Sequence, residues 1–283
     1  RAVGDPVARF AEDGLRVLRA VRFAATLGFE IEAATLAAIP GALPTFRKVS
    51  AERVRDELVK MLAAPRPSIG LRLMLDTGML GDVVPELLPL VGMTQNQHHR
   101  FDGFEHTLAV VDAASAEVRM AALWHDVGKA TTRAPKEGVP GDFTFFGHHH
   151  VSAEMTDAGM RRLRFSNEER HAVVKLVDNH MVFVRHKRDP WTPSGVRRLV
   201  RKVGQENIEA LMALRRADVV GSGRDEDPVA EEQEFRTALT EAMSATAAFS
   251  VKDLAVKGPD VMAALGCKPG PQVGEVLKKL LER

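Results

Sequence analysis

Ser166-Asn167-Glu168-Glu169, running into Arg170-His171-Ala172-Val173-Val174-Lys175-Leu176-Val177-Asp178-Asn179-His180, decides the fold class. A serine followed three residues later by a glutamate is a capping box, which opens a helix by satisfying its first free N–H groups. Val173, Val177 and His180 then recur at helical spacing, so the stripe that faces inward ends on a histidine. The same grammar extends outward. Ser50 precedes Val54, Leu58 and Leu62, and Pro65 ends that segment. Ser68 is expected to open the next helix, with Leu71 and Leu75 buried and Gly78 capping its end. From Gln205 to Val220 one face carries Ile208, Leu211, Leu214 or Arg215, and Asp218, so an acid points toward apolar neighbours and needs a partner. Alternating apolar runs are scarce. The spacing predicts an all-α protein: a multi-helical neck and body, a central helical core and a small helical tail. Two stretches break the pattern. Residues 133–147, with the Phe143-Thr144-Phe145-Phe146 cluster, read as a loop or short hairpin, and Gly221 to Pro228, with Asp225, Glu226 and Asp227, reads as a linker.

Composition bounds the function. With 283 residues, 45% hydrophobic and 27% charged, the chain supports one to three packed domains, and general disorder is excluded. Lys plus Arg total 39 against 38 for Asp plus Glu, which excludes a bulk polycation but leaves local basic patches open. No apolar run approaches a membrane span, and no signal peptide opens the chain, so a cytoplasmic protein is expected. Because the chain starts at Arg1, it is expected to be a fragment or a processed product. Cys267 is the sole cysteine and forms neither an internal disulfide nor a thiolate zinc site by itself, so any metal must use His, Asp or Glu. All ten histidines fall between His98 and His186.

The inward polar residues, in order, are His106, the pair His125-Asp126, His148, His180 and Asp218. One histidine on an apolar face is more often a hydrogen-bonded core residue than a ligand. Neighbours on a helix point about 100° apart, so His125 and Asp126 serve one site only near a helix end or around two ions. Gly128 is expected to supply that end and to leave Lys129 reaching over the site. Two imidazoles and two carboxylates could hold one divalent ion, and His148 and His180 would complete a second. Residue type leaves the choice among His148, His149 and His150 open. His98, His99, His171 and His186 are expected on the surface. A nitrogen and oxygen ligand set without thiolate suits Mn, Ni, Co, Fe or Mg better than structural zinc, and one or two ions are expected. A metal-bound water becomes hydroxide near neutral pH and attacks phosphorus. On that reading Asp126 and Lys129 are catalytic, and Lys129 and Arg133 bind phosphate.

This order of residues, with Gly128-Lys129 attached, resembles the HD superfamily of metal-dependent phosphohydrolases over residues 96 to 222. The resemblance implies that His106, His125 and Asp218 are terminal ligands, that Asp126 bridges, and that His148 and His180 belong to the second ion. Gly147-His148 with Ser152-Ala153 resembles the family spacing and favours His148.

The opening segment is helical by period, with Arg16, Arg19 and Arg22 on a basic ridge and Asp13 placed to pair with Arg16. A solvated face is the commoner meaning of such a ridge. The wording Glu12-Asp13-Gly14-Leu15-Arg16-Val17-Leu18-Arg19-Ala20-Val21-Arg22-Phe23-Ala24, then Leu27-Gly28-Phe29, resembles the neck of the bacterial tRNA nucleotidyltransferase (CCA-adding enzyme) and poly(A) polymerase family. The tail from Gly258-Pro259-Asp260 to Val276-Leu277 resembles the end of such enzymes. The resemblance implies that Asp13 and Arg16 contact an incoming base edge, with Arg19 and Arg22 as further nucleotide or RNA contacts. It divides the chain into a neck and body at 1–95, an HD domain at 96–222 and a tail with tRNA contact at 223–283. The family's catalytic head is not found among these residues, so no nucleotide addition is expected without it, and a head N-terminal to Arg1 is an expected partner. The leading expectation is a divalent-metal 2′,3′-cyclic phosphodiesterase and phosphatase that binds tRNA or an RNA 3′ end and a nucleotide or cyclic phosphate substrate. The alternatives are a non-hydrolytic tRNA-binding body of a CCA-adding enzyme and a stand-alone HD nucleotide hydrolase.

Overall fold

The computed structural model describes residues 1–95, 100–185, 191–223, 227–244 and 254–282. His98, His99 and His186, and Asp225 and Glu226 of the expected linker, lie outside the described residues. Helix is the dominant element. In chain order the helices are α1 (Pro6–Glu12), α2 (Leu15–Leu27), α3 (Ala33–Ala37), α4 (Ile39–Phe46), α5 (Ala51–Leu62), α6 (Pro67–Asp76), α7 (Leu80–Val83), α8 (Gly103–Ala113), α9 (Arg119–Trp124) and α10 (Lys129–Thr132). They continue with α11 (His148–Arg162), α12 (Asn167–Asn179), α13 (Val182–Arg185), α14 (Pro193–Val203), α15 (Ile208–Gly221), α16 (Pro228–Ser244), α17 (Gly258–Leu265) and α18 (Pro271–Glu282). The stretch expected as a loop or hairpin contains two short antiparallel strands, with Ala134 opposite Thr144 and Pro135 opposite Phe143.

The chain divides into two compact units, Arg1–Val182 with Glu209–Pro228, and Phe183–Ile208 with Val229–Arg283. In the first, α2 buries Leu15, Val17, Leu18, Val21, Ala24 and Ala25 and ends at Gly28, whose φ of 67° is the left-handed turn that glycine adopts without strain. α2 packs on α5 and α6, and α6 in turn packs on α8. The residue 95/96 boundary drawn from the sequence therefore falls inside one packed unit. Ser68 shows why: helix α6 begins at Pro67, and the serine N–H and hydroxyl donate to Asp112 of α8 at 3.0 and 2.5 Å instead of capping α6. Val54, Leu58, Leu62 and Leu71 are buried as predicted, while Met74 takes the deep position expected of Leu75. The capping box of α12 is formed in both directions.

α11 and α12 form an antiparallel pair packed on α9. Trp124 at the end of α9 is fully buried, and Gly159 of α11 lets the helix approach its ring. The second unit has its own core. Phe183, Trp191 and Phe235 meet edge to face with centroids 4.7 to 5.7 Å apart. Val261, Val273 and Leu277 of α17 and α18 form a small cluster with Met262 and the half-buried Cys267. Among the described residues no helix is long and apolar enough to cross a membrane.

A Cβ at Gly159 would lie 2.2 Å from the Trp124 ring. Gly159→Ala is expected to cost about 1–3 kcal/mol by overpacking, read as a lower urea midpoint. Gly274→Ala, in a helix where a Cβ meets nothing within 4 Å, is expected to be neutral or slightly stabilising.

Candidate metal centre

Five pieces of the first unit converge on one point. His106 lies on α8 and is fully buried. α9 stops at Trp124, and the chain turns through His125, Asp126, Val127 and Gly128 before α10 begins. The turn lets adjacent residues face one site. Gly128 does not act as the left-handed helix stop expected from the sequence, since its φ is −76°. Its missing side chain matters for another reason: a Cβ there would lie 2.6 Å from the His148 carbonyl oxygen and the Ser152 nitrogen. The glycine N–H donates to Ser152 Oγ at 2.9 Å, which draws the first turn of α11, and with it His148, against the turn. His180 is the C-cap of α12, and Asp218 lies in α15.

Asp126 sits in the middle. Its Oδ2 is 3.3 Å from His106 Nε2 and 3.2 Å from His125 Nε2, and its Oδ1 is 3.3 Å from His148 Nε2 and 3.8 Å from His180 Nε2. The ligand atoms of His106, His125 and Asp126 form one compact group, and those of Asp126, His148 and His180 form another. Asp218 Oδ1 faces the first group, 3.2 Å from His106 Nε2 and 3.8 Å from His125 Nε2, while Arg215 holds its Oδ2 at 3.0 Å.

The imidazole orientations test whether a cation fits. Each Nδ1 lies against a backbone carbonyl: His106 with Gly221 at 3.3 Å, His125 with Ala122 at 2.8 Å, His148 with Phe145 at 2.8 Å and His180 with Val177 at 2.7 Å. An Nδ1–H donated to a carbonyl leaves the Nε2 lone pair pointing inward, the tautomer a metal ligand needs. The Nε2 atoms of His106 and His125 are 3.3 Å apart, and those of His148 and His180 are 3.2 Å apart. Two lone pairs at that distance repel unless a proton or a cation lies between them. Asp126 is buried, and its two oxygens lie among the inward Nε2 atoms of all four imidazoles. The donor set therefore fits one or two divalent ions.

Without a cation, a proton on His106 balances the acids around it. Burial alone would lower the His106 pKa, but the carboxylates of Asp126 and Asp218 outweigh it and push it up to about 9. Burial raises Asp126, yet His125 and Lys129 hold it well below the carboxylate range. Asp218 is lowered against its burial by His106. Burial and the neighbouring His148 and His125 push His180 down, so it stays neutral.

The other expected site residues are placed differently. Lys129 is buried, with Nζ 2.6 Å from Asp126 Oδ2 and 2.8 Å from Gln95 Oε1, so it compensates the central acid from inside. Arg133 stacks 3.4 Å over Phe143 and donates to Thr94 Oγ1 at 2.7 Å. His149 is half-buried beside His148, and exposed His150 pairs with Asp178 at 2.5 Å; neither joins a ligand group. His171 is exposed, as expected. Gln95 was missed because a lone glutamine carries no periodic signal. Arg215 was legible only as an alternative to Leu214.

At the neck, Asp13 does not pair with Arg16. Its carboxylate accepts the Leu15 N–H at 3.1 Å and Arg53 at 2.8 Å, because it bridges the break between α1 and α2. Arg16 turns back to Glu12 at 2.5 Å. Arg19 and Arg22 converge on Glu57, which is only 3% exposed, at 3.5 and 2.7 Å. Arg9, Arg16 and Arg19 line a cleft of about 520 Å³ with Phe10, Phe23 and Phe29; Asp13 and Arg22 are not among its lining residues.

Comparison with known proteins gives two family matches. Residues 28–90 match the probable RNA and SrmB-binding site of polymerase A, and residues 144–283 match a putative domain 2 of tRNA nucleotidyltransferase. The chain is 37% identical to the CC-adding tRNA nucleotidyltransferase of Thermus thermophilus, over 96% of its own length and 62% of that protein's. It is 32% identical to the A-adding tRNA nucleotidyltransferase of Deinococcus radiodurans, over 95% and 64%. It thus spans less than two thirds of these relatives. The Bacillus stearothermophilus CCA-adding enzyme, solved in complex with CTP, has the same fold with a TM-score of 0.64 at 23% identity, covering 99% of this chain and 59% of that one. These likenesses overturn the expectation of an HD phosphodiesterase and phosphatase: the relatives are nucleotidyltransferases. The physical reason is that a ligand cluster specifies what can be bound, not what reaction follows.

A histidine raised from 6.5 to about 9 stabilises the fold fully below pH 6.5 and loses that contribution as pH rises through 9. In chelator-treated protein, Asp218→Asn is expected to cost stability at pH 6 and progressively less above pH 9, measured by urea unfolding across that range.

Proposed function

We propose that the chain is the body and tail portion of a member of the bacterial CCA-adding tRNA nucleotidyltransferase/poly(A) polymerase family, a non-hydrolytic RNA-binding body that grips tRNA while the RNA 3′ end is extended. The observation that carries this reading is the 37% identity to a CC-adding enzyme along 96% of the chain. Residues 1–95 would serve nucleotide and RNA contact, 96–222 a metal-organised scaffold, and 223–283 further tRNA contact. A cytoplasmic location belongs to the same reading.

The cleft on α2 supports the first role. Guanidinium groups beside aromatic rings suit a nucleotide, with forks for phosphate and flat faces for a base. Arg16 and Arg19 supply the charge and Phe10, Phe23 and Phe29 the apolar wall. Asp13 would act on this site through its grip on Arg53 and the start of α2, and Arg22 through Glu57. Lys129 and Arg133 would meet phosphate only after leaving their present partners.

For the metal centre we propose a structural task. One or two divalent ions, of the Mn, Ni, Co, Fe or Mg class, would be held by His106, His125, Asp126, Asp218, His148 and His180. An ion bound there ties α8, the turn after α9, α11, α12 and α15 together, and its binding free energy adds to folding.

The chain is expected to bind tRNA with an affinity that falls steeply with salt, and Arg16→Ala with Arg19→Ala is expected to weaken nucleotide binding about tenfold or more. Fluorescence titration with tRNA and with CTP checks both; no tRNA binding at low salt would refute the reading. Chelation is expected to lower the melting temperature, by the equivalent of about 2.7 kcal/mol if the ion stood at a hundred times its Kd. In Asp126→Asn, calorimetry should show no difference between chelated and manganese-loaded protein.

A further inference from the structure

Helix α14 contains no carboxylate: its residues are Pro193, Ser194, Gly195, Val196, Arg197, Arg198, Leu199, Val200, Arg201, Lys202 and Val203. Val196, Leu199, Val200 and Val203 are buried. At about 100° per residue they fill one arc, and the four cations fill an opposite arc about 140° wide. Arg198, Arg201 and Lys202 are exposed and Arg197 is half-buried. Arg197 stands about 6 Å along the axis from Arg201, and Arg198 the same from Lys202. Like charges at that spacing weaken a helix. The helix dipole favours Arg201 and Lys202 in the last turn but does nothing for Arg197 and Arg198. Among the described residues no ion pair neutralises Arg197, Arg198 or Arg201. The neck arginines differ in this respect, since Glu12 takes Arg16 and Glu57 takes Arg19 and Arg22.

A cost in helix stability without an internal partner calls for an external anion. We propose that the outward face of α14 is a phosphate-binding ridge for the backbone of structured RNA, an inference that rests on the tRNA-binding reading above. Guanidinium forks bind phosphate oxygens in pairs, and spaced forks follow a strand without reading its bases. An anionic membrane fits less well, because a helix lying in a lipid surface needs apolar residues on the approaching face, and those of α14 are turned into the protein.

The test uses the full chain and tRNA titrated from about 50 to 200 mM salt. The triple variant R197Q/R198Q/R201Q keeps helix propensity close to that of arginine, which circular dichroism checks. It is expected to bind about tenfold or more weakly at low salt and to reduce the slope of log K against log salt by about 2 to 3. R197K/R198K/R201K should retain most of the slope, and Arg161→Gln, whose guanidinium is held by Asp157 at 2.6 Å, should leave it unchanged. If the wild type binds tRNA and the triple glutamine variant keeps its slope, the ridge is wrong and the tRNA reading survives. If the wild type binds no tRNA, the reading fails and takes the ridge with it. Loss of binding to phosphatidylserine vesicles in the glutamine variant, with tRNA binding intact, would reassign the face to lipid.

Discussion

A carboxylate buried to 2% exposure must be compensated, and Asp126 organises the first unit around that requirement. Four imidazoles and one ammonium approach its two oxygens from four directions in the chain. Each imidazole is anchored through Nδ1 to a carbonyl of its own or a neighbouring segment, so the acid's environment is fixed by backbone and not by adjustable side chains. Packing follows from the same demand. Gly128 must lack a side chain for α11 to bring His148 within reach, and Gly159 must lack one for α11 to lie flat on Trp124. Loosening either contact would move His148 away from Asp126.

Periodicity made the helices and the inward polar residues legible. The stripe Val173, Val177, His180 and the capping box at Ser166 needed nothing beyond local spacing, because caps and helical faces are properties of a few adjacent residues. What escaped is nonlocal. Nothing near Asp13 in sequence reports that Arg53, forty residues away, takes its carboxylate, and nothing near Ser68 reports Asp112. Glycine was misread for a related reason. Gly78 and Gly28 adopt positive φ where a helix ends, a local role, but Gly128 is required by the approach of another helix.

Function was legible where wording was long and illegible where it was short. The six-residue constellation predicts a place for cations, and five of the six, all but Asp218, lie in two compact groups that share Asp126. It does not distinguish an ion that activates water from an ion that joins helices, since both need inward lone pairs and a dry pocket. The neck and tail wording extends over many more positions, and it points to the relatives the chain matches. Long-range likeness therefore outweighs a cluster whose chemistry serves more than one end.

Net charge conceals the remaining feature. A formal charge of +1 over 283 residues averages cations and acids that lie far apart. At physiological ionic strength exposed charges see one another over about 8 Å, so a ligand senses local patches and not the sum. By that measure the arginines that look most conspicuous in sequence are muted, because Glu12 and Glu57 lie within contact of Arg16, Arg19 and Arg22. The acid-free run from Arg197 to Lys202 is shorter and less striking as text, yet its cations share one face and Arg197, Arg198 and Arg201 have no carboxylate against them among the described residues. What an RNA backbone would feel first is set by which cations the fold leaves uncompensated.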